Sequence, residues 1–379
     1  MSLEVIILIA LLPVSALSGW YFASRYHKKS DSNSKSLSQY FIGLNYLLQE
    51  RADKAIEVFV KMVEVDSDTV ETHLALGSLF RQRGEVDRAI RIHQNIIARP
   101  TLTKDQTALA VFELATDFHK AGLLDRAEQL FQQLVNDRIF AKRSLKNLIN
   151  ISQVQKEWGN AINFSTQLFK KGDNQIGVNL ANYLCEQAEE FERNGEYRNA
   201  RNSLLKALEY NEKSVRAEIK LSEIAFKQGK DKDGFFRLEQ ALNKDSSYIP
   251  VLIKQISLCN RNSSESVIDF IEKCLHQAPN SPAAVMKLAE LYSEKGEKDT
   301  AKQRLLSFIE ENPSISVLHE LLKNYDVQLL GSDIAEILDR NSFKDESYSC
   351  SKCGYQAANM KWKCPSCQNW DCLKPDWFV

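Results

Sequence analysis

The sequence carries almost no excess of charge of either sign, which argues against one class of function. Its 379 residues include 49 Lys and Arg against 50 Asp and Glu, giving a formal net charge of −1. A protein that binds nucleic acid usually presents a basic field to the phosphates. We therefore expect no nucleic-acid partner. Hydrophobic residues make up 44% of the chain, which suffices for a folded core in two or three domains.

Recognisable catalytic motifs are missing as well. The sequence contains no HExxH motif, no GxSxG motif and no Walker-type phosphate loop. Its six histidines are dispersed along the chain, at His27, His73, His93, His119, His276 and His319. We interpret each of them as a surface or groove residue, and we expect that the protein is not an enzyme.

Cysteine is scarce outside the C-terminal tail. Only Cys185, Cys259 and Cys274 precede it, whereas the last 30 residues hold the other five of the eight cysteines. A disulfide scaffold would spread its cysteines through the chain. The clustering instead predicts metal binding by a protein in a reducing compartment.

Charge is also absent from an 18-residue run near the N-terminus, Val5–Phe22. At about 1.5 Å per residue, a helix of this length covers most of a ~30 Å hydrocarbon core. Basic residues follow the run, at Arg25, His27, Lys28 and Lys29, and none precedes it. A cleaved signal peptide would carry its basic residues ahead of the run. We predict a transmembrane anchor at 1–24 whose N-terminus lies across the membrane from the cytoplasm, followed by a cytoplasmic linker at 25–38.

The middle of the chain repeats with a period near 34 residues. Small residues recur at steps of 34, 38, 34, 39, 34, 33 and 34, at Ala55, Ala89, Ala127, Ala161, Ala200, Gly234, Val267 and Ala301. A glycine precedes several of them by five residues, at Gly84, Gly122, Gly195, Gly229 and Gly296. An aromatic often lies nine residues before the small residue, as at Tyr46, Phe80, Phe118, Phe191 and Tyr292.

These residue types fit pairs of packed helices. A small side chain lets two helices cross closely, and a glycine closes the first helix in a left-handed turn. One pair cannot bury its own apolar face, so neighbouring pairs must stack. The pattern resembles the tetratricopeptide repeat family, with about eight copies, of which the fourth, sixth and seventh are degenerate. We predict an all-α repeat superhelix with capping helices at 39–340, whose concave face binds peptide or protein.

The tail at 341–379 contains the stretch "CSKCGYQAANMKWKCPSCQNW". Each of its two Cys-x-x-Cys pairs can present two sulfurs to one ion, and two facing pairs give tetrahedral S4 ligation. The predicted ligands are Cys350, Cys353, Cys364 and Cys367. We interpret Cys372 as a thiol that does not ligate. The predicted cofactor is one structural metal ion, and the sequence leaves zinc and iron open.

The tail resembles rubredoxin knuckles, and it is rich in aromatic residues: Tyr355, Trp362, Trp370, Trp377 and Phe378. This is a great deal of apolar surface for so small a module. We predict that part of it docks on the repeats or on a partner. With four thiolates around a divalent ion, the charge of Cys350–Val379 is about −1, which offers phosphates no basic patch.

Together, the anchor, the repeats and the knuckle resemble the lipopolysaccharide assembly protein B family of Gram-negative bacteria. The most specific match lies in the tail: "CSKCGY", then "WKCPSC", then a Trp and "LKP". The resemblance implies an inner-membrane adaptor without catalytic activity. It implies three partners: the membrane protease FtsH, the deacetylase that commits precursor to lipid A synthesis, and an inner-membrane protein that senses lipopolysaccharide.

Two alternatives stay open at this point. A membrane-attached, rubredoxin-like protein would transfer electrons through iron, and a general scaffold would assemble other cell-envelope enzymes. The sequence also leaves open a homo-oligomer.

Overall fold

The computed structural model describes residues 20, 41–43, 45 and 46, 51–65, 70–257, 264–325 and 347–376. The chain divides into two compact units, residues 1–151 and 152–379. Apart from Trp20, the predicted anchor at 5–22 lies outside the described residues. Within the described ranges, no helix is both long and apolar enough to cross a membrane.

The first unit is built of helices that pack in sequence. They are α1 Ala52–Val65, α2 Val70–Gln82, α3 Val86–Ile97, α4 Lys104–Lys120, α5 Leu124–Gln133 and α6 Ala141–Gln155, the last of which crosses the boundary between the units. Helix α4 shows how local sequence sets a start. Thr103 accepts the backbone N–H of Gln106, and the Gln106 side chain accepts the backbone N–H of Thr103, which forms a capping box.

The second unit continues the helical pairs and ends in a small sheet. Its helices are α7 Trp158–Lys170, α8 Gly177–Arg193, α9 Tyr197–Tyr210, α10 Val215–Lys227, α11 Asp231–Lys244, α12 Ile249–Ile256, α13 Ser264–Gln277, α14 Pro282–Glu294, α15 Lys298–Glu311 and α16 Ile315–Asn324. Short 3-10 turns precede α8 and α12, at Asn174–Ile176 and Ser246–Tyr248. The strands are β1 Tyr348–Cys350, β2 Gln356–Ala357 and β3 Leu373–Pro375.

The predicted repeat pattern is confirmed by burial. The eight small residues fall on α1, α3, α5, α7, α9, α11, α13 and α15, the second helix of each pair. All eight are buried, and the six alanines among them are fully buried. The close helix crossing therefore explains why these positions are small.

The turn glycines are also confirmed, with one informative exception. Five of them have φ between +69° and +88°, a region that favours glycine: Gly84, Gly122, Gly195, Gly229 and Gly296. In the fourth repeat the same position is Lys156, which adopts φ +58°. The fourth repeat thus keeps the left-handed turn, although it lacks the glycine that adopts this conformation without strain.

Gly234 stands where most of the other repeats have alanine, and the structure gives the reason. A Cβ at Gly234 would overlap the ring of Phe226, which lies on the facing helix α10. We expect Gly234→Ala to lower the free energy of unfolding by about 1–3 kcal/mol, because the ring has to move. Adding Phe226→Leu should recover part of this loss in a denaturant titration.

Gly159→Ala is the matched control for that prediction. Gly159 lies in α7, and a Cβ there meets nothing within 4 Å. The control should leave stability unchanged or raise it by up to ~1 kcal/mol. Equal effects at the two glycines would contradict the packing explanation.

The predicted fold class is confirmed for the repeats, since the described part of the chain is mostly helical. The module that carries the cysteines is instead a three-stranded antiparallel sheet in the order β2-β1-β3. The predicted capping region is seen as α16, and the remainder of it, 326–340, lies outside the described residues.

Candidate metal centre

The sheet at the C-terminus supports two tight turns that carry the cysteine pairs. In the first turn, Gly354 donates its N–H to Cys350 O at 2.9 Å and has φ +72°. In the second, Gln368 donates to Cys364 O at the same distance and adopts φ +58° without being a glycine. The two turns therefore have the same shape, although only the first is marked by glycine in the sequence.

The four predicted ligand residues come together. The Sγ atoms of Cys350, Cys353, Cys364 and Cys367 all lie within 4.8 Å of one another. The Cys350–Cys367 and Cys353–Cys364 sulfurs are each 3.7 Å apart. A tetrahedral ion with metal–sulfur distances of ~2.3 Å would separate its sulfurs by about 3.8 Å. The sulfur positions thus fit one tetrahedral zinc or iron ion.

Hydrogen bonds favour the thiolate form at two of the four sulfurs, those of Cys350 and Cys367. Backbone N–H groups of Lys352 and Cys353 donate to Cys350. The side chain and the backbone N–H of Asn369 donate to Cys367 and lower its pKa to about 6. A metal binds cysteine as thiolate, so these donors prepare the cluster for an ion.

The fifth cysteine differs from the four. Cys372 is buried, its thiol lies 3.2 Å from the Asn369 carbonyl oxygen, and burial raises its pKa to about 12. Its sulfur also does not belong to the group of four that lie within 4.8 Å of one another. This supports the prediction that Cys372 packs without ligating.

The cluster has one edge in solvent and one edge in the core. Cys353 is exposed and Cys367 is partly exposed, whereas Cys350 and Cys364 are buried. Both buried cysteines belong to a hydrophobic cluster that continues from the sheet into α10–α14, through residues such as Tyr248 and Leu252. An ion at this site would therefore be anchored to the repeats as well as to the module.

The predicted docking of the aromatic residues is confirmed for two of the tryptophans. The ring of Trp362 stacks on Tyr248 with centroids 5.7 Å apart, and the ring of Trp370 meets Tyr183 edge to face at 6.0 Å. The guanidinium of Arg216 lies between them, 5.9 Å from Trp362 and 5.6 Å from Trp370. Trp377 and Phe378 lie outside the described residues.

Buried polar residues link the module to the first helices of the fifth and sixth repeats. The side-chain amide of Asn182 on α8 donates to Asp371 Oδ2 at 2.7 Å, and its oxygen accepts Arg216 Nη1 at 3.3 Å. Arg216 on α10 also donates to Glu186 and Glu189, each at 2.8 Å. Burial disfavours the Arg216 cation, but the two glutamates outweigh this and raise its pKa. Arg216 thus remains charged although only 2% of it is exposed.

Two more bonds fix β3 to the seventh repeat. Lys374 Nζ pairs with Asp245 Oδ2 at 2.8 Å, and the Tyr248 hydroxyl donates to Leu373 O at 3.3 Å. Lys374 is substantially exposed, so we expect the ion pair to contribute little beyond orientation.

Asp371 makes the docking dependent on pH. Burial raises the pKa of Asp371 above its ordinary value of 3.8, and the hydrogen bond from Asn182 and the charge of Arg216 offset this only in part. Because the folded pKa is raised, the folded protein takes up the proton more readily than the unfolded one. Folding should therefore be destabilised above the raised pKa and should gain stability as the pH falls through it.

We expect Asp371→Asn to remove this gain. The measurement is the free energy of unfolding of the wild type and the variant as the pH is lowered from about 7 towards 3.8, the ordinary pKa of the carboxyl. Asp245 does not interfere: its paired carboxylate has a lowered pKa, so its contribution disappears only below 3.8. If the free energy of unfolding changed with pH in the same way in the wild type and in the variant, the prediction would be contradicted.

The structure brings together every predicted metal ligand, and it adds partners that sequence reasoning missed. Asn182, Arg216 and Tyr248 contribute to docking, but they lie on three different repeats. The Asn182–Asp371 bond joins residues 189 positions apart. In the sequence, this contact was indicated only on the side of the module, by the tryptophans of the tail.

Stacked helical pairs with a docked four-cysteine module define a class: tetratricopeptide scaffolds with a C-terminal rubredoxin-type metal-binding domain. Family models agree with this class. A model described as a rubredoxin metal binding domain matches residues 348–375. Models of the tetratricopeptide repeat match 72–106, 185–243 and 283–314.

The particular family follows from similarity over the whole length. The chain is 31% identical to lipopolysaccharide assembly protein B of Escherichia coli K12 over 380 residues, covering 97% of each protein. It is 33% identical to the Haemophilus influenzae protein of the same name, covering 97% of this chain and 98% of the relative. The chain belongs to the lipopolysaccharide assembly protein B family.

Among solved structures, the chain is similar to the C-terminal part of a tetratricopeptide protein of Cytophaga hutchinsonii. The match has 14% identity and a TM-score of 0.40, and it covers 74% of this chain and 99% of that one.

Proposed function

We propose that this protein is a membrane-anchored, cytoplasm-facing adaptor that regulates lipopolysaccharide biosynthesis. In this proposal it promotes FtsH-dependent proteolysis of the lipid A pathway deacetylase, and an inner-membrane protein that senses lipopolysaccharide opposes it. The observation that carries the proposal is family membership over 97% of the chain. The helical repeats, which are a scaffold for protein partners, support it.

The proposed organisation has four parts. Residues 1–24 anchor the chain in the inner membrane with the N-terminus in the periplasm, and residues 25–38 are the linker. Residues 39–340 form the repeats that hold the deacetylase, and 341–379 form the metal-binding module. The anchor is the part that would meet FtsH or its antagonist within the bilayer.

The metal in this proposal is structural. Cys350, Cys353, Cys364 and Cys367 would hold one zinc or iron ion, and the ion would supply a cross-link between the two turns. Two observations support a structural role: the buried cysteines belong to a core shared with the repeats, and Arg216 is enclosed between the module and α8. Loss of the ion would loosen the face of α8 and α10.

One observation favours a second candidate, electron transfer through iron. Cys353 is exposed, and an exposed ligand gives an electron-transfer partner a short path to the ion. A purified protein that is red when oxidised and bleaches on reduction would support this candidate. A colourless protein with one zinc per chain would exclude it.

A pull-down from detergent-solubilised membranes tests the adaptor proposal. The intact protein should bring down FtsH and the deacetylase. A chain without residues 1–29 should lose FtsH, and Cys364→Ser/Cys367→Ser should lose the deacetylase. Metal content is measured on the same samples.

Cys274→Ala is the matched control, because Cys274 is buried in the repeats outside the four-cysteine cluster. It should keep both partners and the metal. The proposal fails if the intact protein captures neither FtsH nor the deacetylase, or if all variants capture them equally.

A further inference from the structure

The module contacts the repeats along two edges of different character. One edge is apolar: Tyr348, Cys364 and Leu373 are fully or almost fully buried, in one cluster with residues of α10–α14. The other edge is Trp370–Asp371, which lies on Asn182, Tyr183 and Arg216. The first edge explains why the module stays attached, and the second has features of an exchangeable contact.

The Trp370–Asp371 edge leaves hydrogen-bonding capacity unused. Among the described residues, three buried atoms at this edge have no hydrogen-bond partner: Trp370 Nε1, Asp371 Oδ1 and Arg216 Nε. Asp371 also adopts φ +53°, which is uncommon for a residue other than glycine. Buried atoms without partners weaken a contact. This edge is therefore held less firmly than its burial alone would indicate.

The residues on the repeat side are held in place without the module. Arg216 is oriented by Glu186 and Glu189 of α8, and Asn182 donates to the Val178 carbonyl one turn earlier. The ring of Tyr183 stacks on Trp158, with centroids 6.0 Å apart. Its hydroxyl donates to Gln153 Oε1 at 2.8 Å. The surface is thus preorganised, which lowers the entropic cost of binding.

We propose that Asn182, Tyr183 and Arg216 form a recognition surface for a protein segment in which an aromatic residue is followed directly by aspartate. The module occupies this surface with its own Trp370–Asp371. A partner segment of the same chemistry takes its place when that edge lifts, while the apolar edge remains docked. The inference deepens the proposed adaptor function, on which its role in the cell rests.

The charges around the surface narrow the partner chemistry further. Arg216 is already paired with Glu186 and Glu189, and Lys220 Nζ lies 3.6 Å from Glu189 Oε1 as well, so the repeat side offers additional carboxylates or phosphates in the segment little net positive charge. Lys363 of the module lies 5.8 Å from the Trp370 ring and is attracted by Glu186. A segment with a basic residue near the aromatic would match this arrangement.

The test uses the full chain and a labelled peptide, Gln-Asn-Trp-Asp-Ser, with fluorescence anisotropy as the readout. Trp370→Ala removes the aromatic half of the segment that occupies the surface and changes no cysteine, while Asp371 stays opposite Asn182. The peptide should bind this variant about tenfold more tightly than the wild type, because the competing residue is gone. A peptide with alanine in place of tryptophan should bind neither protein.

A charge exchange identifies the surface. Adding Asn182→Asp keeps an oxygen acceptor for Arg216 but sets a carboxylate against the aspartate of the peptide. Binding should fall at least about tenfold, and a peptide with asparagine in place of aspartate should restore it. Metal content and circular dichroism establish that each variant is folded, and Asp371→Ala replaces Trp370→Ala if the latter is not.

Two results would overturn the inference: equal binding of the peptide to the wild type and to Trp370→Ala, or peptide binding that Asn182→Asp does not change. Because the experiment uses purified protein without FtsH, its failure leaves the adaptor proposal standing. Conversely, peptide binding together with a failed pull-down would retain the surface and remove the proposed function.

Discussion

Replacing Cys364 and Cys367 together with serine is expected to produce the largest change in this protein. Metal content should fall from about one ion per chain to nearly none, because two of four ligands are lost. The module is a sheet of two- and three-residue strands, which we do not expect to stay folded without an ion. Since Cys364 lies in the core shared with the repeats, the second unit should lose stability too.

The expected loss is about 4 kcal/mol or more, the stabilisation by an ion at roughly a thousand times its Kd. The readouts are metal analysis, thermal unfolding and tryptophan emission, which should shift to the red as Trp362 and Trp370 leave their contacts. Cys274→Ala again serves as the control: Cys274 is a fully buried member of the same core but lies outside the four-cysteine cluster, so this variant should keep its metal and lose only about 1 kcal/mol. A variant that loses its ion and keeps both its emission and its melting temperature would show that the metal does not hold the module.

Removing the buried cation is expected to have the second largest effect. Arg216→Met keeps a side chain of similar length but leaves Glu186 and Glu189 without their shared partner. Breaking a buried ion pair in this way lowers the free energy of unfolding by ~3–5 kcal/mol. We expect a value at the lower end of this range because both glutamates are partly exposed. Arg216→Lys should recover part of the loss, since it keeps the charge but lacks the planar fork.

Arg304→Met is the matched control for Arg216→Met. Arg304 pairs with Glu272 at 3.4 Å, and both side chains are about half exposed. Its replacement should cost less than ~1 kcal/mol in a denaturant titration. Equal losses in the two variants would mean that Arg216 acts as an ordinary surface cation.

The repeats could be predicted from the sequence because their determinants are local and recur. The packing of a single helix pair is enough to explain why position 200 is alanine or position 84 is glycine. The same packing recurs about every 34 residues, so the same residue types recur as well. The degenerate copies show the limit of this reasoning. Gly234 reflects a ring on the facing helix, and Lys156 adopts the turn conformation with no sign in the sequence.

The four candidate ligands could be predicted as well, since their spacing alone brings their sulfurs close enough together for one ion. The docking surface on the repeats could not be predicted from the sequence. Asn182 and Arg216 are an amide and a cation in otherwise ordinary helices, and their importance depends on where the module lies. Burial of Arg216 also runs against the usual expectation for a charged residue, so sequence reasoning places it in solvent.

We propose that a metal ion in the tail holds the module on the first helices of the fifth and sixth repeats. Hydrogen exchange of the full chain, measured with and without metal, tests this proposal. We expect removal of the ion to reduce amide protection in α8 and α10, residues 177–193 and 215–227, by about tenfold or more. Protection in α2 and α3, in the other unit, should not change. Unchanged protection of α8 and α10 after complete removal of the ion would contradict the proposal.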